Sequence, residues 1–325
     1  MFSKFKKSLK RALIFVLILG VIFVIVLTVT NLTGDKLFSR KVTPVLIDSD
    51  SGNEIDDLFA ISRALIAPEL KIVGLTSAHW EFTENSKDSS LVVSQKLNEQ
   101  LLSLFGKSSI PHPRGAKRAL QYGKEPQPRP SPAAEFIIKK AHEMEKKKKL
   151  NVVTLGALTN IASAIMMDPE IIPKIRIYMM GLKYDPKTKI WNKNEFNTRN
   201  DLDAVDYLLN TSGLEMHIMT ATTSEVLVFD KEETLKYLDN KEKPWEFLVN
   251  KWNEKYPSFD EWIMWDLAII EALIDPELAK KEETLTPPEN KQRTVNVYTY
   301  INKELMIADF YSEVLKYKSD EKDEI

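Results

Sequence analysis

One run near the start of the chain constrains its fold more than any other: an apolar strand that ends in acidic residues. The run Val45–Asp57 carries five acidic side chains within its last ten residues. Burying so many carboxylates beside an apolar strand costs free energy unless a cation neutralises them. Carboxylates suit Ca²⁺ or Mg²⁺, whereas zinc and copper prefer His and Cys. The chain has four His and no Cys. The run therefore predicts a divalent-cation site, with ordinary turn and helix-start roles for the acids as the alternative.

Short apolar runs alternate with longer amphipathic runs after this point. The short runs predict strands at 42–48, 71–77, 150–155, 174–180 and 215–219. The longer runs predict helices at 55–66, 90–104, 133–148 and 158–167, and 230–260 is expected to be a helical insertion over the sheet. This alternation predicts an α/β fold with a doubly wound, mostly parallel sheet, in one domain spanning 42–317 and followed by a charged tail, 318–325.

Composition excludes several functional classes. The 325 residues are 43% apolar and 28% charged, as expected for a folded domain. The 45 basic and 47 acidic residues leave a formal charge of −2, which argues against nucleic acid as a partner. Without cysteine the chain has no disulfides, no thiolate metal sites, no cysteine nucleophile and no N-terminal lipoprotein anchor.

The amino terminus predicts a membrane segment. A basic stretch, 1–11, precedes nineteen uncharged residues, 12–30, which come close to the length that spans a bilayer. The positive-inside rule keeps the basic end in the cytoplasm and places the domain on the outer side, after a linker at 31–41. The apolar run is long for a signal peptide and lacks a good cleavage site, which favours a permanent single-pass anchor over secretion.

Four segments resemble, in order, the landmarks of the inosine-uridine preferring nucleoside hydrolase family. The run ending Asp48-Ser49-Asp50-Ser51-Gly52 and continuing to Asp56-Asp57 is similar to the family's Asp-x-Asp-x-Gly signature. The others are Gly156-Ala157-Leu158-Thr159-Asn160, Asn194-Glu195-Phe196-Asn197 and Trp265-Asp266. The resemblance implies a calcium-dependent N-ribohydrolase that releases base and ribose from ribonucleosides, and an insertion at 230–260 that walls the active site.

The resemblance also implies roles for individual residues. The calcium ligands would be Asp50, Asp57, Asp266 and the main-chain carbonyl of Leu155. Asp50 would be the general base, Asp56 would accept from a ribose hydroxyl, and Asp48 would support them from behind.

The other landmarks would bind substrate. Asn160, Glu195 and Asn197 would pair with ribose hydroxyls, although Asn160 and Asn197 could instead cap helices. Many members carry a histidine where this chain has Trp265, whose indole can stack on a base but cannot protonate it as imidazolium can. His79, at the end of the second predicted strand, is the candidate replacement in the catalytic set, with a loop histidine as the alternative.

Two departures leave alternatives open. The spacing from Asp50 to Asp56 is two residues longer than in the best-known members, and the family histidine is absent. A nucleoside- or ribose-binding protein without turnover, or a hydrolase of another N- or O-glycoside, therefore stays open. A haloacid dehalogenase-type phosphohydrolase also begins with strand-Asp-x-Asp but lacks the later landmarks. Members of the family commonly form dimers or tetramers, so a homo-oligomer also stays open.

Overall fold

A mostly parallel sheet forms the centre of the molecule, as the alternation of runs predicts. The computed structural model describes residues 42–80, 89–120, 126–239 and 242–318. Within these ranges the sheet has the strand order β10-β11-β7-β4-β3-β1-β2. The strands are β1 (Thr43–Ser49), β2 (Leu70–Ser77), β3 (Leu150–Thr154), β4 (Ile175–Met180), β7 (Glu215–Met219), β10 (Ala279–Leu285) and β11 (Thr294–Ile301). The pair β10–β11 is antiparallel and the other pairs are parallel.

The strands read as nearly continuous apolar runs because both faces of the sheet are buried. In β1, Val45 and Ile47 enter one core while Leu46 enters the other. In β3, Val153 and Val152 divide between the two cores in the same way. This two-residue alternation confirms a sheet covered by helices on both sides.

Helices cover the two faces in separate groups. On the face of Val45 lie α1 (Asp56–Ile66), α2 (Ser89–Leu104), α8 (Lys231–Leu238), α9 (Lys243–Lys255), α10 (Trp265–Ile274) and α11 (Lys303–Lys316). On the other face lie α3 (Pro132–His142), α4 (Thr159–Met167) and α6 (Leu202–Asn210). The short helices α5 (Phe196–Asn200) and α7 (Ala221–Ser224) follow the ends of the short strand β6 (Ile190–Asn192) and of β7.

Two small two-stranded antiparallel sheets lie beside the central sheet. Strands β5 (Lys183–Asp185) and β6 (Ile190–Asn192) pair after β4, and β8 (Val228–Asp230) pairs with β9 (Glu261–Ile263). Helices α8 and α9 lie between β8 and β9, so the predicted helical insertion at 230–260 is confirmed. The predicted helix 133–148 ends earlier, at His142, because Glu143 caps it and Lys147 turns into the left-handed region with φ 71°.

The predicted segments 1–11, 12–30 and 31–41 lie outside the described residues, as do residues 319–325 of the tail. The compact unit that contains the sheet begins at Thr43. Within the described ranges, no helix has the length and apolar character needed to cross a bilayer. The boundaries of the terminal segments stay predictions.

Candidate active site

The C-terminal ends of neighbouring strands meet at one edge of the sheet. Asp48 at the end of β1 lies beside Thr154 of β3, and the N–H of Leu155 donates to the Asp48 carbonyl at 2.8 Å. This edge opens into a cavity of about 280 Å³ whose wall includes Asp50 and Leu155. Open α/β sheets bind ligands at this position.

Three buried carboxylates lie together beside the cavity. One oxygen atom from each of Asp56, Asp57 and Asp266 lies within 4.8 Å of the other two. Asp56 and Asp57 begin α1, and Asp266 lies in the first turn of α10. The positive ends of two helix dipoles therefore face this acid cluster. No Lys or Arg in the described ranges forms an ion pair with these three aspartates.

Burial and mutual repulsion raise the pKa values of these acids. Burial, helped by the charge of Asp57, raises the pKa of Asp56 to about 7. Burial also raises the pKa of Asp57 to about 7, against a hydrogen bond from Ser49 that lowers it. Burial and then neighbouring carboxylates raise the pKa values of Asp50 and Asp266 well above their usual range. A cation bound among these groups would favour their ionised forms.

Asp50 faces the cavity from a tight turn. The N–H of Asn53 donates to the Asp50 carbonyl at 2.8 Å, which closes the turn. The buried Oδ2 atom of Asp50 has no hydrogen-bond partner among the described residues. A Cβ atom on Gly156 would lie 2.8 Å from Cγ of Asp50, so only glycine permits this close approach. The structure thus explains one glycine of the second landmark.

Asp57 is oriented from behind by hydroxyl groups. The Ser49 hydroxyl donates to Oδ1 of Asp57 at 2.6 Å. Ser51 lies 2.6 Å from Ser49, oxygen to oxygen, and donates to Oδ1 of Asn98 at 2.5 Å. These contacts hold one oxygen of Asp57 and leave the other for the acid cluster.

The third landmark reaches the cavity through Glu195 and Asn197. The Asn197 amide donates to the carbonyl of Leu155 at 2.8 Å. Glu195 caps α5. Its Oε2 accepts from the N–H of Leu182 and from the N–H and hydroxyl of Thr198. Its Oε1 accepts the N–H of Asn197 and no other donor in the described part of the chain. Both side chains line the cavity. Asn197 is not a helix cap, since Asp201 caps α6.

Asn160 is not brought to the cavity. Its amide group donates to Oδ1 of Asp48 at 2.9 Å and to the carbonyl of Ser77 at 3.1 Å. Its Oδ1 accepts the N–H of Ala116 at 2.8 Å. It makes no cap for α4, and it does not line the cavity. The position of Asn160 supports a strand-bridging role and not the predicted contact with ribose. Asp48 likewise lies behind the cavity wall, where burial raises its pKa to about 6.

His79 also lies outside the cavity wall, and the catalytic role expected for it stays a prediction. Its side chain is buried, and Nε2 lies 3.0 Å from the hydroxyl of Thr159. Thr159 in turn donates to Oδ2 of Asp201 at 2.5 Å. The alternative of a partly exposed loop histidine is right about the loop and wrong about the exposure, because this network fixes the ring inside the protein.

Sequence reasoning identified only part of the cavity wall. Trp265, predicted to contact substrate, lines it and is half-buried. The described residues of the insertion, 230–239 and 242–260, contribute nothing to the wall. Further wall residues, not singled out as site residues from the sequence, are Asn53, Glu54, Met180, Lys183, Asn194, Phe196, Arg199, Ala221 and Glu225. Asn53 and Glu54 could have been found from their place inside the first acidic run, but the exposed charged residues carry no sequence signal.

Comparison with known proteins places these features in one family. The family model described as inosine-uridine preferring nucleoside hydrolase matches residues 45–317. "Probable uridine nucleosidase 1" of Oryza sativa subsp. japonica is 26% identical over 254 residues, covering 72% of this chain and 77% of that protein.

Solved structures agree on the fold. A plant nucleoside hydrolase superposes with a TM-score of 0.66 at 19% identity, over 85% of this chain and 99% of the other. A purine-preferring ribonucleoside hydrolase from Gardnerella vaginalis gives 0.63 at 21% identity, over 84% and 98%. At these identities the two structures establish the fold alone.

Proposed function

The chain belongs to the inosine-uridine preferring nucleoside hydrolase family, and we propose that its cavity hydrolyses the N-glycosidic bond of ribonucleosides with calcium as cofactor. The observation that carries the proposal is the group of buried carboxylates, Asp50, Asp56, Asp57 and Asp266, beside a cavity at the strand ends. Family membership argues against the phosphohydrolase alternative.

The donor atoms suit a hard divalent cation. Asp50, Asp57, Asp266 and the carbonyl of Leu155 would hold it, with Asp56 adjoining them in the acid cluster. The unpartnered Oδ2 of Asp50 supports this assignment, because a buried carboxylate oxygen without a donor is costly. The carbonyl of Leu155 accepts one hydrogen bond from Asn197 and keeps a second lone pair. When bound, calcium would act as a Lewis acid toward water and grip the ribose diol.

Asp50 would take the proton from the attacking water. Its carboxylate needs a low pKa and a fixed direction for this role, and a nearby cation would lower the pKa that burial raises. The turn closed by Asn53 and the contact with Gly156 fix its direction. A general base positioned in this way contributes about 10²–10⁴-fold to a rate.

The ribose and the base would meet different walls. Oε1 of Glu195 has capacity left for a ribose hydroxyl, and Asp56 is placed to accept another. Asn197 lines the same cavity and donates to the Leu155 carbonyl. Trp265 offers an indole face on which the base can stack.

The cellular location follows from the amino terminus. We propose that residues 12–30 anchor the chain in a membrane with the domain on the outer side. Fractionation of cells that express the whole chain, with protease added from outside, tests this arrangement. An anchored domain sediments with membranes and is cleaved in intact cells, whereas a protected domain would contradict the proposed orientation.

Product analysis tests the proposed reaction. The protein is incubated with uridine, cytidine, inosine and adenosine in phosphate-free buffer with calcium, and free base and reducing sugar are measured. Equimolar base and ribose are expected from at least one nucleoside. Nucleoside that binds but stays intact would favour the binding-protein alternative.

A further inference from the structure

Lys255, the last residue of α9, reaches the turn that carries Asp50. Its ammonium group donates to the carbonyl of Gly52 at 2.7 Å and also to the carbonyl of Asn53. Both carbonyls belong to the turn that Asp50 begins and that the Asn53 N–H closes. A single side chain therefore ties this turn to a helix about two hundred residues later in the chain.

Lys255 acts on the turn through carbonyl groups and not through an ion pair. No carboxylate in the described ranges lies within ion-pair distance of its Nζ atom. Lys255 does not line the cavity, whereas Asn53 and Glu54 do. The ammonium group thus holds the turn from outside the cavity wall, and its charge also acts on nearby carboxylates, that of Asp57 most strongly.

The position of Lys255 is itself fixed. The ring of the next residue, Tyr256, stacks on Trp262 with centroids 3.6 Å apart and an interplanar angle of 28°. Lys231 donates to the carbonyl of Tyr256 at 3.0 Å. Because the end of α9 is held on both sides, loss of the Lys255 hydrogen bonds would free the turn and not the helix.

We propose that Lys255 is a positioning residue for nucleoside hydrolysis, which holds the turn Asp50–Asn53 so that the Asp50 carboxylate keeps its direction toward the reacting water. The proposal rests on the proposed function, in which Asp50 is the base. A displacement of about 1 Å at a reacting group can cost about 10²-fold in rate. The loss should therefore fall on kcat and leave KM for the nucleoside nearly unchanged.

Three variants test the proposal at saturating calcium, with the nucleoside concentration varied so that kcat and KM are both measured. Lys255→Met keeps the apolar stem and loses the donors, Lys255→Arg keeps charge and donors, and Lys251→Met removes a lysine that pairs with Glu254 on the same helix. Lys255→Met should lower kcat about tenfold or more, with KM within about threefold. Lys255→Arg should recover most of kcat, and Lys251→Met should match the unmodified protein. Calcium-binding stoichiometry, measured by calorimetry, corrects each rate for the folded fraction.

Amide hydrogen exchange gives a readout that needs no turnover. The amides of residues 51–53 should exchange at least about tenfold faster in Lys255→Met than in Lys255→Arg, while the core strands stay protected.

Several outcomes would overturn the proposal that Lys255 holds the turn Asp50–Asn53. In the kinetics, these are an unchanged kcat in Lys255→Met with only a shifted calcium requirement, an equal loss of kcat in Lys251→Met, or no recovery of kcat in Lys255→Arg. In the exchange experiment, it is an unchanged exchange rate of the amides of residues 51–53 in Lys255→Met. An unmodified protein that cleaves no nucleoside would instead refute the proposed function. Amide exchange would still decide whether Lys255 holds the turn.

Discussion

Helices α1 and α10 pack together, and buried acids lie at both ends of this helix pair. The two ends differ in whether a basic side chain pairs with those acids. At one end Asp56, Asp57 and Asp266 have no ion-pair partner within the described part of the chain. At the other end, which we call the paired end, Arg63 of α1 donates to Glu271 of α10 at 3.0 Å.

The paired end shows that the fold can supply its own cation. Arg63 also donates to Asp309 of α11 at 2.5 Å, so one guanidinium serves two carboxylates. Even so, burial raises the pKa of Glu271 to about 8, against the charge of Arg63 that lowers it. Buried acids are therefore costly at both ends of this helix pair. We infer that the paired end serves stability and that the acid cluster is reserved for a cation from solution.

The largest contrast is expected when one acid is removed at each end. Asp50→Asn, beside the acid cluster, should lower kcat about 10²–10⁴-fold, because an amide cannot accept the proton of water as a carboxylate does. Asp309→Asn at the paired end should leave kcat within about threefold. Initial rates with the best nucleoside, at saturating calcium, measure both variants. Comparable rates in the two variants would mean that the two ends of the helix pair do not differ in their contribution to catalysis.

Removing the cation of the paired end should affect stability instead. Arg63→Met leaves the buried carboxyl group of Glu271 without its donor, which should lower the free energy of unfolding by about 1–3 kcal/mol. Denaturant unfolding measures this loss, and kcat per folded molecule should stay within about threefold. The double variant Arg63→Met/Glu271→Leu should regain much of the stability. A loss below about 1 kcal/mol would show that the ion pair is not structural.

The pH dependence of stability should distinguish the two ends next. Asp56 and Asp57 have pKa values of about 7 in the folded protein and about 3.9 when unfolded. Between these values the folded state binds more protons, so stability without calcium should fall as pH rises from about 4 to about 7.

Calcium should abolish the part of this fall that comes from the acid cluster. The part from Glu271 should persist with calcium up to about pH 8. Denaturant unfolding at several pH values, in chelator and in calcium, measures both parts, and Asp57→Asn and Glu271→Gln identify their sources. If the slope of unfolding free energy against pH changed neither with calcium nor in Asp57→Asn, the acid cluster would not be its source.

A smaller effect is expected at Gly156. The Cβ of Gly156→Ala would approach Cγ of Asp50 to 2.8 Å and should push its carboxylate aside, which lowers kcat about tenfold. Calorimetric calcium binding should weaken in parallel, since the same carboxylate would hold the ion. Unaltered kinetics and calcium affinity would mean that Asp50 tolerates another direction.

Much of the fold could be predicted from local sequence. Apolar runs such as 45–47 and 152–153 identify parallel strands because both faces of the sheet are buried. The strand pair β10–β11 was not predicted: β10, Ala279–Leu285, alternates only weakly and exposes much of its length.

The candidate site was predictable where adjacent residues act together. Asp56 and Asp57 lie in one run, and Asp266 follows a recognisable landmark. The positions of Asn160 and His79 depend instead on partners far away in sequence, Asp48 and Thr159, which no local pattern reveals. The same holds for Lys255, whose partners are main-chain carbonyls with no sequence signature.

Calcium dependence of turnover tests the central claim most directly. The protein is stripped with chelator, and hydrolysis of uridine and inosine is followed as free calcium is restored, alongside Asp57→Asn. A catalytic cation in the acid cluster predicts no turnover in chelator, saturable recovery with calcium, and a much higher calcium requirement for the variant. Turnover that survives chelation, or that Asp57→Asn leaves unchanged, would contradict a catalytic cation in the acid cluster.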